Sequence, residues 1–531
     1  MRSLTGLGLL VRLILRRDRI RLPVWVLALG GITVGSAASL VPLYPDQPAI
    51  EQYVALFGDN PALVAFAGPG YGFDDPNLGV ILVNETQLWA CLGIALMSIF
   101  LVNRHTRAEE EAERTEVLRS SVVGRHAPTA AAVVVVAAAA VLLAALCGVG
   151  FVALGYGVTG SVTYAAGLAG CGLVFTGLTA AVAQLAGSSR ATLGLATAAL
   201  GLAFVLRAVG DITGSALRWL SPIGWAQGVR AYAGERWWPV ALCLAVTLLA
   251  VVAAFWLATR RDLGSGILPQ RPGPARAGRW AASPVGLAVR LQRGTVVAWM
   301  AGLALMGGVY GSIGEDVEQM IEENETFADV LAQLGGADVT DAFFATAVSM
   351  QAVLAAGFAI SAALRIRSEE AAGRVEPILA GPVGRWRWAW SHLLVAAVGT
   401  VLVVAAGGVG VGASYAVVSG DADQVLRLTG AALATVPAVL VLAGVAVALF
   451  GASLRLALVA WAGLGVVVLV ELFGELLRLP SWSRAISPLH HVPALPAEDL
   501  RAVPLLALTA LAVALTALGL ARFRTRDLQV G

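Results

Sequence analysis

Apolar runs of about 18 residues or more recur along the whole chain, each long enough to cross the hydrocarbon core of a bilayer as a helix. Nothing else in the sequence restricts the fold as strongly. A 531-residue chain with this pattern is expected to be an all-α, polytopic integral membrane protein. Composition agrees: 58% of residues are hydrophobic and 13% charged, where soluble domains carry about a quarter. Twelve spans are expected, near 22–42, 81–103, 128–156, 162–186, 191–210 and 239–259, then 295–312, 342–364, 391–417, 428–451, 456–477 and 503–521.

Net charge is only +2, so the placement of charge carries more information than its sum. All 36 basic residues are arginine. The absence of lysine excludes a P-loop, whose lysine reaches the β- and γ-phosphates, and a lysine Schiff base. Any ATP hydrolysis linked to this chain must therefore occur on another one. Of the arginines, 28 fall in segments expected on the cytoplasmic side, whereas the expected outer loops 43–80 and 313–341 hold no arginine and 14 acids. This is the positive-inside asymmetry, and it puts both termini in the cytoplasm. Arg12, Arg16 and Arg19 face away from Leu7, Leu10, Val11 and Ile14, which suits a helix lying in the headgroup region rather than a cleaved signal peptide. Cys91, Cys147, Cys171 and Cys243 lie inside apolar runs and are expected in the core.

Residues 262–282 are rich in Gly, Pro and Arg and are expected to link two parts, 1–261 and 283–531, each with an interfacial helix and six spans. Ser283-Pro284 is expected to open the second interfacial helix, through Arg290 and Arg293. Between spans two and three lies a charged island, and it occurs twice. At a constant offset of 260, Arg107, Glu109, Glu110, Arg114, Glu116 and Arg125 return as Arg367, Glu369, Glu370, Arg374, Glu376 and Arg385. Glu110 and Arg114, like Glu370 and Arg374, have the spacing of a favourable helical ion pair. Phe57-x-Asp59 returns as Phe327-x-Asp329, Ser221-Pro222-Ile223 as Ser487-Pro488-Leu489, and Arg261-Asp262-Leu263 as Arg526-Asp527-Leu528. Ordered polar matches of this kind indicate parallel repeats about an axis along the membrane normal. Solvated loop helices would explain the charge of the islands, but not the repetition of individual residues.

The basic N-terminal helix, six spans per half, the island EEExxRxExL…VGR and the SP[IL] turn after span five together resemble the permease subunits of ABC-2 type exporters. More narrowly, they resemble the double-length actinobacterial permeases described as exporters of polyketide antibiotics, including tetronasin-resistance transporters. The resemblance covers essentially the whole chain. It implies a type V exporter-like fold in a bacterial plasma membrane and two copies of a separate ATPase carrying ATP and Mg. It also implies a coupling helix at each island, here Arg107, Glu109, Glu110, Arg114, Glu116 and Arg125, and Arg367, Glu369, Glu370, Arg374, Glu376 and Arg385. Gly373, Pro377, Gly381 and Pro382 should shorten or break the second of these helices.

Ionisable residues inside spans are costly and default to functional candidates. Glu85, Arg207, Glu471 and Glu475 are of this kind. Following the resemblance, spans two and five line the path, so Arg207 and the Glu471/Glu475 pair are candidates for a cross-half gate. Snorkelling to the outer interface is the plainer alternative. The acidic loop 313–341 has the periodicity of an amphipathic helix on the outer face. His490-His491 lacks further ligands at metal spacing, and no nucleophile–base set is visible, so neither a metal, a cofactor nor enzymatic chemistry is expected. Nucleic acid is not an expected partner. The leading expectation is an ATP-driven exporter subunit moving an amphiphilic cargo, since the spans offer few polar groups. A proton-coupled twelve-span transporter and a cargo-free membrane scaffold are the alternatives.

Overall fold

The computed structural model describes residues 2–57, 64, 67–120, 122–268, 278, 280, 283–312, 314, 339–473 and 481–528. Two compact units divide the chain, Met1–Gly273 and Pro274–Gly531. The described residues form helices and no strand, and eleven helical segments are long and apolar enough to cross a membrane.

The first unit opens with α1 (Leu7–Arg17), amphipathic as its spacing predicts. Leu10 and Ile14 bury against Ala127, Ala131 and Val135 with Leu7 and Val11 alongside, and Arg12 and Arg16 stay exposed. The helix ends before Asp18, and α2 (Arg21–Leu43), α3 (Gln47–Phe57) and α4 (Leu78–His105) follow. The first island comprises α5 (Arg107–Glu111) and α6 (Arg114–Arg119). Then come α7 (Ala127–Ala153), α8 (Val158–Leu185), α9 (Ser189–Ile212), α10 (Pro222–Gln227) and α11 (Trp238–Ala258). α4 and α8 form the centre: Ile81, Leu88, Ile94, Leu168 and Phe175 are fully buried. Several of their polar groups find donors or acceptors in place, as hydrocarbon depth demands. Gln87 donates to the Ala226 carbonyl at 2.9 Å, and Thr86 and Tyr164 share a hydrogen bond of 2.9 Å.

The second unit begins with α12 (Pro284–Ser312). Ser283 caps it through a 3.0 Å bond from the Gly286 amide, as expected. The helix then runs unbroken, so Arg290 and Arg293 sit on the spanning helix itself rather than on a separate interfacial one. Next are α13 (Val339–Ala363), α14 (Arg365–Ala371) and α15 (Glu376–Leu379), the last two forming the second island. α16 (Arg385–Ser419) has 35 residues, about 52 Å of helix. That exceeds the roughly 30 Å hydrocarbon core, so its ends reach the interfaces or the helix tilts. α17 (Asp423–Leu433) and α18 (Val436–Ala452) replace one expected span with two helices, broken just before Pro437. α19 (Val459–Phe473), α20 (Ser481–Arg484) and α21 (Ala502–Thr525) complete the unit. α19 spans only 15 residues. The expected eleventh span, 456–477, runs past Phe473 beyond the described residues, and among the described residues eleven segments meet the length requirement. α18 and α21 approach through Gly451 and Gly519, where a Cβ on either would collide with the backbone of the other helix.

Candidate functional site

Both islands are built alike, from the backbone upward. In the first, Glu113 adopts a left-handed conformation (φ 58°) that separates α5 from α6. At the same offset of 260 in the second, Gly373 does so at φ 67°. The break is thus common to both copies, whereas the sequence points to a broken helix only in the second. It also alters the ion pairs. With the helix interrupted, Arg114 cannot reach Glu110 and pairs instead with Glu109, at 3.1 Å. Arg374 likewise pairs with Glu369, at 2.7 Å. The difference between copies lies in length: α6 has six residues and α15 four.

Freed from the expected pairing, Glu110 accepts two bonds from Arg261, at 2.8 and 2.5 Å, and one from Arg107, at 2.7 Å. Glu370 accepts two from Arg526, at 2.8 and 2.7 Å. Each is a forked guanidinium–carboxylate pair joining the island to the chain just after the last span of its own half. Arg125 adds a second tie, donating to the Ala258 carbonyl at 2.7 Å and that of Arg261 at 3.4 Å. Arg385 repeats it on Arg526 at 2.8 Å and Arg524 at 3.4 Å. Arg107, buried, also donates to the carbonyls of Gly264 and Ser265, at 3.1 and 2.9 Å. Arg367 donates to the Leu454 carbonyl at 2.7 Å.

The copies differ in what else holds them. Glu109 takes both nitrogens of Arg17, at 2.8 and 2.9 Å, fastening α1 to the island. That bond raises the Arg17 pKa further, so the guanidinium stays charged. Beside it, Asp18 is buried between His105 at 2.6 Å and Arg104 at 3.3 Å. Glu369 instead pairs with Arg365, at 2.6 Å, and with Arg374, whose pKa it raises. Turned to solvent at the tips are Arg114, Glu116, Val117 and Val122 in the first island, with the valines 73% and 88% exposed, and Arg374, Glu376 and Pro377 in the second.

The intramembrane candidates find partners within their own halves. Arg207, fully buried, forms an ion pair of 3.5 Å with Asp211 one turn on and donates to the Val64 carbonyl at 3.4 Å. Glu85 is exposed and accepts from the Tyr53 hydroxyl at 2.6 Å, which in turn accepts from Asn84 at 2.8 Å. Glu471 accepts from the Ser487 hydroxyl at 2.5 Å. Glu475 lies outside the described residues, as do Asp59, Phe327, Asp329 and most of the acidic loop. The repeated SP turns have a shared use. Ser221 accepts from the amides of Ile223 and Gly224, at 3.2 and 3.4 Å, and Ser487 from that of Leu489, at 3.3 Å. Arg17, Asp18, Asp211 and the clasp role of Arg261 and Arg526 escape the sequence-based reading. Only the repetition of Arg-Asp-Leu after the last span of each half could have pointed to the clasps.

Long apolar helices, each unit bearing a polar island clasped to its last span, define an all-α integral membrane permease, multi-pass in topology. Residues 282–524 match the family described as "Multidrug efflux system permease Rv1217c, C-terminal domain". Over 528 residues, 99% of this chain and 96% of the relative, the sequence is 39% identical to the "Multidrug efflux system permease protein Rv1217c" of Mycobacterium tuberculosis. The chain belongs to this family of multidrug efflux permeases.

Proposed function

We propose that this chain is the membrane-spanning subunit of an ABC-2 type exporter that expels amphiphilic compounds, energised by two copies of a separate ATPase. One observation carries the reading: two islands, 260 residues apart, are anchored to the last span of their own half by equivalent forked pairs, Glu110–Arg261 and Glu370–Arg526. Such an anchor lets a push on the island reach a spanning helix directly. In this reading the duplicated residues divide into two roles. Arg107, Glu109, Glu110, Arg125, Arg367, Glu369, Glu370 and Arg385 position the islands, whereas Arg114, Glu116, Arg374 and Glu376, exposed at the tips with the unrepeated Val117, meet the ATPase. The arginine distribution supports cytoplasmic islands and termini. The name of the relative, a permease within an efflux system, fits a chain that works with other components. Arg207 is paired with Asp211 on its own helix in this state, and a role in a gate remains part of the proposal.

The test is coexpression with an ABC ATPase encoded beside this chain, followed by purification on the permease. Two ATPases per permease are expected; Glu116→Lys with Val117→Asp should lower that ratio to one, and adding Glu376→Lys should abolish retention, without lowering the melting temperature of the permease. Export that persists after ATP depletion and stops when the proton gradient collapses would replace this reading with a proton-coupled transporter.

A further inference from the structure

In the second unit, the first turns of α16 and the last turns of α21 border an apolar groove of about 230 Å³. Trp386 and Trp390, one turn apart on α16, line it with parallel rings whose centroids lie 6.4 Å apart. Both indoles are about half exposed. Leu394, Ala443, Ala512 and Leu520 form much of the remaining wall. Charge collects at the tryptophan end. Arg387 follows Trp386, Arg524 follows Leu520 by one helical turn, and both are exposed. Arg385, whose guanidinium is occupied by the carbonyls of Arg524 and Arg526, draws the two helix ends together there.

At the matching place in the first unit two rings meet. His126, 260 residues before Trp386, packs on Phe255, 265 residues before Leu520, with ring centroids 5.3 Å apart. The second copy has Leu520 in place of that phenylalanine, and Leu520 lines the groove. An apolar slot on membrane-spanning helices, edged by indoles and then by guanidinium groups, has the polarity profile of a phospholipid. Acyl chain faces aliphatic wall, the glycerol region faces the aromatic belt, and phosphate faces arginine.

We propose that this groove binds one acyl chain of an anionic phospholipid, whose phosphate is held by Arg387 and Arg524. The assignment needs neither the ATPase nor the direction of transport.

The test uses the full chain purified in mild detergent, with phosphatidylglycerol and phosphatidylcholine of identical chains as probes. Retained lipid is measured by mass spectrometry and stabilisation by the melting temperature. Phosphatidylglycerol is expected to be retained and to raise the melting temperature more than phosphatidylcholine. Arg387→Gln and Arg524→Gln should each weaken that preference roughly fivefold. Arg522→Gln, two residues from Leu520 and so off the groove face, should leave it unchanged. Leu520→Phe, which supplies the ring of the first unit, should remove retention of both lipids while keeping the lipid-free melting temperature. Ala443→Leu fills the same slot from α18 should the first variant misfold. Equal retention of the two lipids by the unaltered chain, retention that survives filling of the groove, or occupation by an amphiphilic drug in place of lipid would each overturn the proposal.

Discussion

Glu110 and Glu370 are the residues on which each island turns. Each carboxylate receives both prongs of an arginine fork, and little water reaches either pair. A glutamine of the same shape can accept only one such bond and leaves a guanidinium half-satisfied. Glu110→Gln and Glu370→Gln are each expected to lower stability by about 1–3 kcal/mol, read as thermal unfolding in detergent. Adding Arg261→Gln to the first, or Arg526→Gln to the second, should cost much less than the sum of the single changes, because the interaction is already lost. Lysine in place of Arg261 should behave like the glutamine variants, since an ammonium cannot bridge both carboxylate oxygens in one plane. Glu116 and Glu376, exposed at the tips, should tolerate the same change with no loss of melting temperature.

Within the island helices, the decisive event is a single left-handed residue. Glu113 adopts it against the steric preference of a side chain, and Gly373 adopts it freely. Glu113→Gly is therefore expected to leave stability unchanged or raise it slightly, whereas Gly373→Ala should cost about 1–2 kcal/mol in the same unfolding measurement. The opposed signs at matched positions are the test. Here the limits of the sequence-based reading have a physical cause. Charge spacing alone favours Glu110–Arg114 on one helix, and nothing about Glu113 announces a positive φ. By contrast, α1 was legible because Leu10 and Ile14 recur at helical period beside arginines. The spans were legible from apolar length. Ion partners such as Arg17 and Asp211 were not, because they depend on which helices touch. Close packing makes a further demand on two elements: Gly451→Val should wedge α18 from α21 and abolish a folded, monodisperse protein in size-exclusion chromatography.

For the whole molecule, orientation sets what each surface can meet. The four cysteines are buried, so an introduced thiol can be read without background. With a membrane-impermeant maleimide on intact cells, Gln52→Cys, exposed on α3, is expected to react. Val122→Cys, exposed beside the first island, is expected to react only after the membrane is opened. The reverse pattern would invert the expected topology and overturn the docking proposed for the islands. The overall architecture follows from hydropathy and the repeated landmarks, which is why it could be anticipated. The unequal grips of Glu109 on Arg17 and of Glu369 on Arg365 could not, since the two arginines are not equivalent in the repeat. One result of the clasps concerns the history of such a chain. Because Glu110 answers to Arg261 and Glu370 to Arg526, a substitution in one copy can be compensated there without a matching change in the other. A repeated chain wired in this way is free to drift apart, one island at a time.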